Sequence, residues 1–171
     1  MNEDIIEKGE MAEEKFKEWL DHHKIPYWYI QQSFGTFSPA LKENFGSKRV
    51  DFMVLVPNFG FMLIDVKNKK QNREYGDGKF ILDCDETIKY SNLQRNFNLS
   101  VWYVLSNDDF DFKTWFWVPV TKVLEIGKIE KYTSKTRGDF FAIPNNAFIQ
   151  VSTNDSLDRL FSMLFTQDLK K

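Results

Sequence analysis

Residues 61–70 read FMLIDVKNKK, and the charges inside this segment decide how the chain is interpreted. Its first four residues are typical of a buried β-strand, yet Asp65 and Lys67 follow within the same run. Residues two apart in a strand lie on one face, so Asp65 and Lys67 point the same way, as do Leu63 and Lys69. Because an unpaired buried charge is costly, the strand is expected to have compensating partners or to use its charges for function.

A second strand precedes this segment. Residues 49–56, RVDFMVLV, are rich in strand-forming residues and end at the turn-like PNFG, so the two segments are expected to form a β-hairpin. An odd-numbered turn pairs Val56 with Gly60. Asp51 then lies opposite Asp65, whereas a four-residue turn sends the two aspartates to opposite faces. The sequence alone leaves both registers open.

Length and composition indicate a globular protein with a sizeable core, since 42% of the 171 residues are hydrophobic and 28% are charged. We expect one domain, with a motif-bearing core at about residues 4–119 and a C-terminal elaboration at about residues 120–171. Aromatic residues make up 16%, which could fill a core or stack on nucleobases. Cys84 is the single cysteine and no apolar run reaches membrane-spanning length, so we expect a cytoplasmic protein that does not associate with membranes.

The net charge of −2 hides an uneven distribution. Residues 1–21 contain eight acids and three bases, so the rest of the chain is net positive. Positive charge concentrates in two segments. One is NKKQNR at residues 68–73, which follows the predicted strand that starts at Phe61, and the other is residues 122–137, with five bases and two acids. This pattern is compatible with nucleic acid as a partner, although the second segment is also typical of a solvated surface.

Hydrophobic periodicity predicts a helix over residues 4–22. Around its apolar stripe, centred on Phe16, Glu13 lies roughly 60° away and borders the core. The other predicted elements are a strand at 27–33, a polar loop through Ser47, a weak hairpin at 73–83 with GDG at its tip, a helix at 86–105, strands at 114–118 and 139–143, and a tail helix at 155–169. Together they predict an α/β or α+β sandwich.

The odd register would bring two carboxylates face to face with Lys67 beside them. Like charges that close repel, so one must protonate or both must share a cation. Carboxylate oxygens suit Mg²⁺, and an adjacent lysine can orient a water molecule or neutralise developing negative charge. The constellation therefore favours metal-assisted hydrolysis of a phosphodiester bond. The D-x-K spacing also arises by chance, and such a pair can be a plain surface salt bridge.

The order and spacing of these motifs resemble the PD-(D/E)XK nuclease superfamily, which has the restriction-endonuclease-like fold. The resemblance covers about residues 8–105: KGEMAEEKF in the first helix, KRVDFMVLV and FMLIDVKNKK in two strands, and then a helix that carries a glutamine. The spacing of Gly9 and Glu13 is most similar to archaeal-type Holliday junction resolvases. Two positions depart from the pattern, because Val50 stands where proline is usual and Asp65 where glutamate is commoner.

The resemblance implies an α/β fold with a mixed central sheet flanked by helices, and a nuclease that cuts DNA, as an endonuclease. It implies Mg²⁺ as cofactor, with Mn²⁺ as a substitute. Asp51, Asp65 and Glu13 would bind the metal, and Lys67 would act on the attacking water. RNA as a substrate and a homodimer as the assembly are left open.

Gln94 is a further catalytic candidate, because it borders the apolar stripe of the second helix and could contact a metal-bound water or a phosphate. Some family members carry Q-x-x-x-Y on this helix, but Asn98 stands where the tyrosine would follow Gln94. A helix-edge glutamine with a purely structural bond is the alternative. Four cationic residues are predicted to contact phosphates: Arg49, Lys69, Lys70 and Arg73.

Two other functions stay open at this point. One is a non-catalytic module that binds nucleic acid or protein on the same fold, and the other is an aromatic-rich interaction protein with a coincidental motif. The hairpin register discriminates, since Asp51 and Asp65 on opposite faces would exclude the nuclease.

Overall fold

The computed structural model describes residues 3–30, 38–56, 60–71, 78–131, 138–155 and 159–160. Within these residues the helices are α1 (Glu3–His22), α2 (Pro39–Glu43), α3 (Cys84–Phe97) and α4 (Val120–Ile126). The strands are β1 (Tyr27–Tyr29), β2 (Phe52–Val56), β3 (Gly60–Asn68), β4 (Lys79–Asp83), β5 (Val101–Ser106), β6 (Thr114–Pro119), β7 (Lys128–Lys131), β8 (Asp139–Pro144) and β9 (Ile149–Ser152). No helix in this part of the chain is long and apolar enough to cross a membrane.

The strands form two sheets. The larger has six strands in the order β1-β2-β3-β5-β6-β9, and it is mixed because β3 and β5 pair in parallel while the other neighbours are antiparallel. The smaller sheet has the order β4-β8-β7. Helix α1 packs on one face of the large sheet, and α3, α4 and the small sheet pack on the other.

Alternating side chains of the large sheet fill these two cores, as a period of two requires. On the α1 face, Phe16 contacts Phe52, Trp115 and Trp117 through edge-on or tilted rings. On the other face, Tyr90 of α3 packs against Tyr103. Among the described residues, most aromatic side chains are therefore buried in these cores.

Strands β2 and β3 pair in the register that was predicted for an odd-numbered turn. Val56 lies opposite Gly60, and the ladder continues to Phe52 opposite Ile64. Gly60 has φ +106°, a conformation that glycine adopts without strain, while residues 57–59 lie outside the described part of the chain. Extending this register by one residue brings Asp51 opposite Asp65.

The helix predicted over residues 86–105 was wrong in its second half. Helix α3 ends at Phe97, Asn98 adopts the left-handed conformation that terminates helices, and residues 101–106 form the fully buried strand β5. A continuous apolar run fits a buried strand as well as a helix, and here β-branched and aromatic residues favour the strand. Val101 and Val104 consequently contribute to opposite faces of the sheet.

Other predicted elements are confirmed with changed boundaries. Helix α1 and strands β6 and β8 lie where expected. The loop before Ser47 contains the short helix α2, and β1 is shorter than predicted, with residues 31–33 outside the described part. The strand KFILD pairs with β8, while residues 72–77 of the predicted hairpin and most of the tail helix are not described. Helix α4 and strands β7 and β9 were not predicted.

The Gly127→Ala substitution is expected to lower the free energy of unfolding by about 1–3 kcal/mol. Gly127 joins α4 to β7, and an added methyl group would lie 2.5 Å from the Val123 carbonyl oxygen and 2.7 Å from the Phe141 ring. Gly138→Ala is the matched control, because among the described residues, its chain neighbours aside, no atom lies within 4 Å of the added methyl group. Urea denaturation of the two variants measures the difference, and equal midpoints would contradict the tight packing at Gly127.

Candidate active site

Asp51 lies where the β2 ladder ends. Its backbone N–H donates to the Ile64 carbonyl at 3.0 Å, and its carbonyl accepts from the N–H of Ile30, the residue after β1, at 2.8 Å. Its carboxylate replaces a backbone partner, since Oδ2 accepts a 2.7 Å hydrogen bond from the Val66 N–H of β3. This bond holds a buried carboxylate beside β3, next to Asp65.

Asp65 is buried in the middle of β3 between two partners. The Tyr90 hydroxyl of α3 donates to Asp65 Oδ1, and the Lys67 ammonium lies 2.8 Å from Oδ2. The same Tyr90 hydroxyl lies 3.2 Å from the Arg49 carbonyl and can share its hydrogen with it, so one buried hydroxyl connects β3 with the segment that leads into Asp51. The compensating partners that were expected for the buried Asp65 are thus Lys67 and Tyr90.

Lys67 has a second acidic partner. Its Nζ donates to Glu86 Oε1 at 3.0 Å, and Lys48 also binds this oxygen. Glu86 lies in the first turn of α3, where its backbone N–H donates to the capping carboxylate of Asp83 at 2.8 Å. An acidic side chain is favoured at a helix N-terminus, so the helix itself places Glu86 against Lys67.

Glu13 reaches the same region from α1. Its Oε2 accepts a 2.6 Å hydrogen bond from the Tyr29 hydroxyl of β1, and Lys17 lies 5.2 Å from the centre of the Tyr29 ring. Asn68, at the end of β3, donates to the Lys8 carbonyl at 3.2 Å and ties α1 to this end of the sheet. Glu13 is close enough to Asp65 for the charge of that carboxylate to affect its pKa.

The three carboxylates are held in surroundings that resist their ionisation. Burial raises the pKa of Asp51 well above the ordinary value, and the charges of Asp65 and Glu13 raise it further. Burial also raises the pKa of Asp65, although Lys67 opposes this effect. The pKa of Glu13 is raised by burial, with the Tyr29 hydrogen bond acting against it. Mutual repulsion in a dry site is the environment that a divalent cation would relieve.

Lys67 and Glu86 are both held in their charged forms. Burial alone would lower the pKa of Lys67, but Asp65 and Glu86 more than offset it and the net pKa is raised. Burial would raise the pKa of Glu86, yet Lys67 and Lys48 lower it to about 2. Lys67 is therefore a protonated hydrogen-bond donor here, not a base.

Gln94 makes a hydrogen bond of the kind that the structural alternative expects. Its Oε1 accepts a 3.0 Å hydrogen bond from the Val101 N–H at the start of β5, so its side chain supports the turn between α3 and β5. Asn98 follows as the residue that ends the helix. In this arrangement Gln94 is not directed at the carboxylates.

The predicted phosphate contacts have different environments. The Arg49 side chain is half-buried, and Lys70 is exposed and pairs with Asp109 at 2.8 Å. Lys69 is half-buried, and its pKa is lowered by burial and by the neighbouring charge of Lys67. Arg73 lies outside the described residues.

Two residues of this site, Glu86 and Tyr90, were not predicted from the sequence. They are four apart on α3, which places both on one helix face. The sequence does carry a signal, since Glu86-x-x-x-Tyr90 has the Q-x-x-x-Y spacing with glutamate in the first place, about two helical turns before Gln94.

The donor chemistry of Asp51, Asp65 and Glu13 fits a hard divalent cation, which binds carboxylate oxygens. Among the described residues, however, no three His, Cys, Asp or Glu side chains converge closely enough to hold a metal ion. Asp65 is bound to Lys67 and Tyr90, and Glu13 to Tyr29, so a cation would have to compete with these partners. The oxygen donors are thus present without being drawn together as a ligand set.

The pH dependence of stability should report the raised pKa of Asp51. The folded chain binds the proton of the Asp51 carboxyl more tightly than the unfolded chain does. The stability that this proton contributes is therefore complete below about pH 4 and is lost as pH rises through the raised pKa of Asp51. Asp51→Asn keeps an acceptor for Val66 without the charge. We expect it to match the wild type near pH 4 and to be more stable by on the order of 1 kcal/mol or more at pH 8.

Urea titrations of both proteins across this range measure the effect. If the difference in stability between the wild type and Asp51→Asn did not change with pH, the proposed destabilisation by the ionised Asp51 carboxylate would be contradicted.

Comparison with known proteins shows a likeness of fold. No protein-family model matches the chain, and a search of curated proteins finds no match. Among solved structures, it is similar to Archaeoglobus fulgidus Hjc, a Holliday junction resolvase from an archaeal hyperthermophile. The TM-score is 0.53 at 15% identity, over 84% of this chain and 95% of the other. The chain therefore has the restriction-endonuclease-like α/β fold, with a mixed central sheet and helices on its faces, that the resemblance to the PD-(D/E)XK superfamily predicted.

Proposed function

We propose that the chain is a metal-dependent nuclease that hydrolyses phosphodiester bonds of DNA as an endonuclease. The observation that carries the proposal is the register of β2 and β3, which puts Asp51 opposite Asp65 with Lys67 next on the same face. A chance D-x-K pair would need neither a second buried carboxylate nor a tyrosine bound to the first. The similarity in fold to a Holliday junction resolvase makes DNA the first substrate to test.

Asp51, Asp65 and Glu13 would hold the cation, with Mg²⁺ as the expected ion and Mn²⁺ as a substitute. When bound, such a cation polarises the phosphate and lowers the pKa of a coordinated water. The protein's part is to keep unprotonated oxygen donors at the end of β2 and in the middle of β3. Their raised pKa values mean that this donor set is costly to keep ionised without a cation.

Lys67 would act as a cation in the reaction. Its ammonium can donate to the attacking water or to a phosphate oxygen as negative charge develops there. Because its pKa is raised, it cannot be the group that removes the proton of the water at neutral pH. Glu86 and Tyr90 are positioning residues in this scheme, since they hold Lys67 and Asp65 and need not touch the substrate.

Cationic side chains beyond the carboxylates would contact the phosphate backbone. Arg49, Lys69, Lys70 and Arg73 stay candidates for this role, and such contacts would position the substrate without reading its sequence. We also propose a single domain, with residues 120–171 as its C-terminal elaboration, in a cytoplasmic protein whose only cysteine is buried. RNA as a substrate and a homodimer stay open.

One observation favours a second function, a non-catalytic module that binds nucleic acid or protein. In the described residues the carboxylates are engaged with protein partners rather than grouped around a metal position. A permanent Asp65–Lys67–Glu86 network would stabilise the fold and leave no vacancy for a cation. The two functions differ in whether a divalent ion binds through Asp51.

Cleavage assays test the nuclease directly. The wild type, with Mg²⁺ or Mn²⁺, is expected to cut at least one of four substrates: linear duplex, supercoiled, single-stranded or four-way-junction DNA. Asp51→Asn, Asp65→Asn and Lys67→Met should each lower the rate by about 100-fold or more, because each removes a donor or a charge at the reacting phosphate.

The chain offers a matched control with the same D-x-K spacing. Asp111 and Lys113 form an exposed pair on a turn, at 2.5 Å. Asp111→Asn and Lys113→Met should retain the wild-type rate. Equal activity of the wild type and the three site variants would identify a contaminating nuclease and refute the proposal.

Metal binding can be measured without cleavage. At a free concentration 100 times Kd, Mg²⁺ or Mn²⁺ is expected to raise the unfolding midpoint of the wild type by about 5–10 °C. Asp51→Asn should abolish this shift, whereas Asp111→Asn should preserve it. A wild type that shows no carboxylate-dependent shift in calorimetry would support the binding module instead.

A further inference from the structure

Trp28 and Phe61 form an exposed aromatic pair on the large sheet. Trp28 is 64% exposed and Phe61 is 40% exposed, although the other four tryptophans are at most 4% exposed. The two rings are nearly parallel, with centroids 5.8 Å apart and an interplanar angle of 16°. Large aromatic side chains left in water at one place usually mark a binding surface.

The pair lies on the same sheet face as Asp51 and Asp65. Trp28 is opposite Met53 in the ladder, and Met53 is two residues from Asp51, a distance of about 7 Å along the strand. Phe61 begins the β3 face that continues through Leu63 to Asp65. A strand of nucleic acid that crosses Asp51 and Asp65 would therefore pass beside Trp28.

Along this face apolar side chains give way to charged ones. Beyond Asp51 and Asp65 lie Lys67 and Lys69, and Lys48 lies 5.5 Å from the centre of the Tyr90 ring. Lys48 and Lys67 also bind Glu86, so the lysines stand among acidic side chains. Aromatic rings at one end and lysines at the other suit a ligand with exposed flat bases and an anionic backbone. A continuous duplex does not fit the aromatic end, because its bases are already stacked.

We propose that Trp28 and Phe61 form a stacking platform for an unpaired base of single-stranded DNA next to the candidate active site. The position of the cut relative to this base rests on the proposed nuclease function, but the binding itself does not. A second copy of the chain is a poorer occupant. Two aromatic side chains present at most about 150–250 Å² each, well below the roughly 800 Å² per partner of a standard interface.

Binding to a fluorescently labelled single-stranded oligonucleotide in EDTA tests the platform. Trp28→Ala is expected to weaken binding about 5- to 150-fold, the usual effect of losing one base–aromatic stack. Phe61→Ala should also weaken binding, and Trp28→Phe should restore most of the wild-type affinity. Ile129→Ala is the matched control, since Ile129 is equally exposed, at 64%, on the smaller sheet, and it should bind as the wild type does.

Three further readouts separate stacking from general electrostatic attraction. Because Trp28 is the exposed tryptophan, the oligonucleotide should quench the intrinsic fluorescence of the wild type and not that of Trp28→Phe. The Trp28→Ala variant should keep the salt dependence of the wild type, which reflects phosphate contacts. Blunt duplex DNA should bind the wild type and Trp28→Ala equally well.

Two results would overturn the platform. One is wild-type affinity in Trp28→Ala together with unchanged fluorescence quenching in Trp28→Phe. The other is a wild-type dimer, seen by light scattering, that Trp28→Ala converts to a monomer, since the pair would then be a contact between copies. Failure of the nuclease proposal is distinguishable, because it would appear as absent metal-dependent cleavage while binding in EDTA remained sensitive to Trp28.

Discussion

The register between β2 and β3 is the constraint on which the candidate site depends. A shift of one residue would turn Asp51 to the α1 face, away from Asp65, and would expose the apolar residues that now fill that core. The hydrogen bond from the Val66 N–H to the Asp51 carboxylate fixes the register at the end of the ladder. A shifted strand would leave this backbone donor of β3 without the Asp51 side chain as its acceptor. The register of the two strands therefore also determines where the Asp51 carboxylate lies relative to Asp65.

The charges in β3 are tolerated because each has a partner within the same network. Lys67 lies between two acids, and Tyr90 provides a neutral donor to the more deeply buried one. Removing a single member would leave an uncompensated charge, which is far more destabilising than the pair is stabilising. The network also explains why stability and the proposed activity conflict at Asp51, where the charge is repelled by Asp65 and Glu13.

Local patterns predicted the elements that have one clear periodicity, such as α1 and the β2–β3 hairpin. They could not set the hairpin register, because the turn at residues 57–60 has no unique length from composition alone. The end of α3 was missed because Val101 and its neighbours satisfy helix and strand patterns equally. Glu86 and Tyr90 have the spacing of a family motif, but only the packing of α3 on the sheet shows that they contact Lys67 and Asp65.

The contacts of Phe16 set an order for folding. This residue packs against Trp115 and Trp117, about a hundred positions later in the chain, so α1 can complete its packing only after β6 has been synthesised. Until then the apolar stripe of α1 lacks the part of the sheet that β6 contributes. Glu13 is carried by the same helix, so the packing that completes α1 also fixes the final position of Glu13 beside β2 and β3.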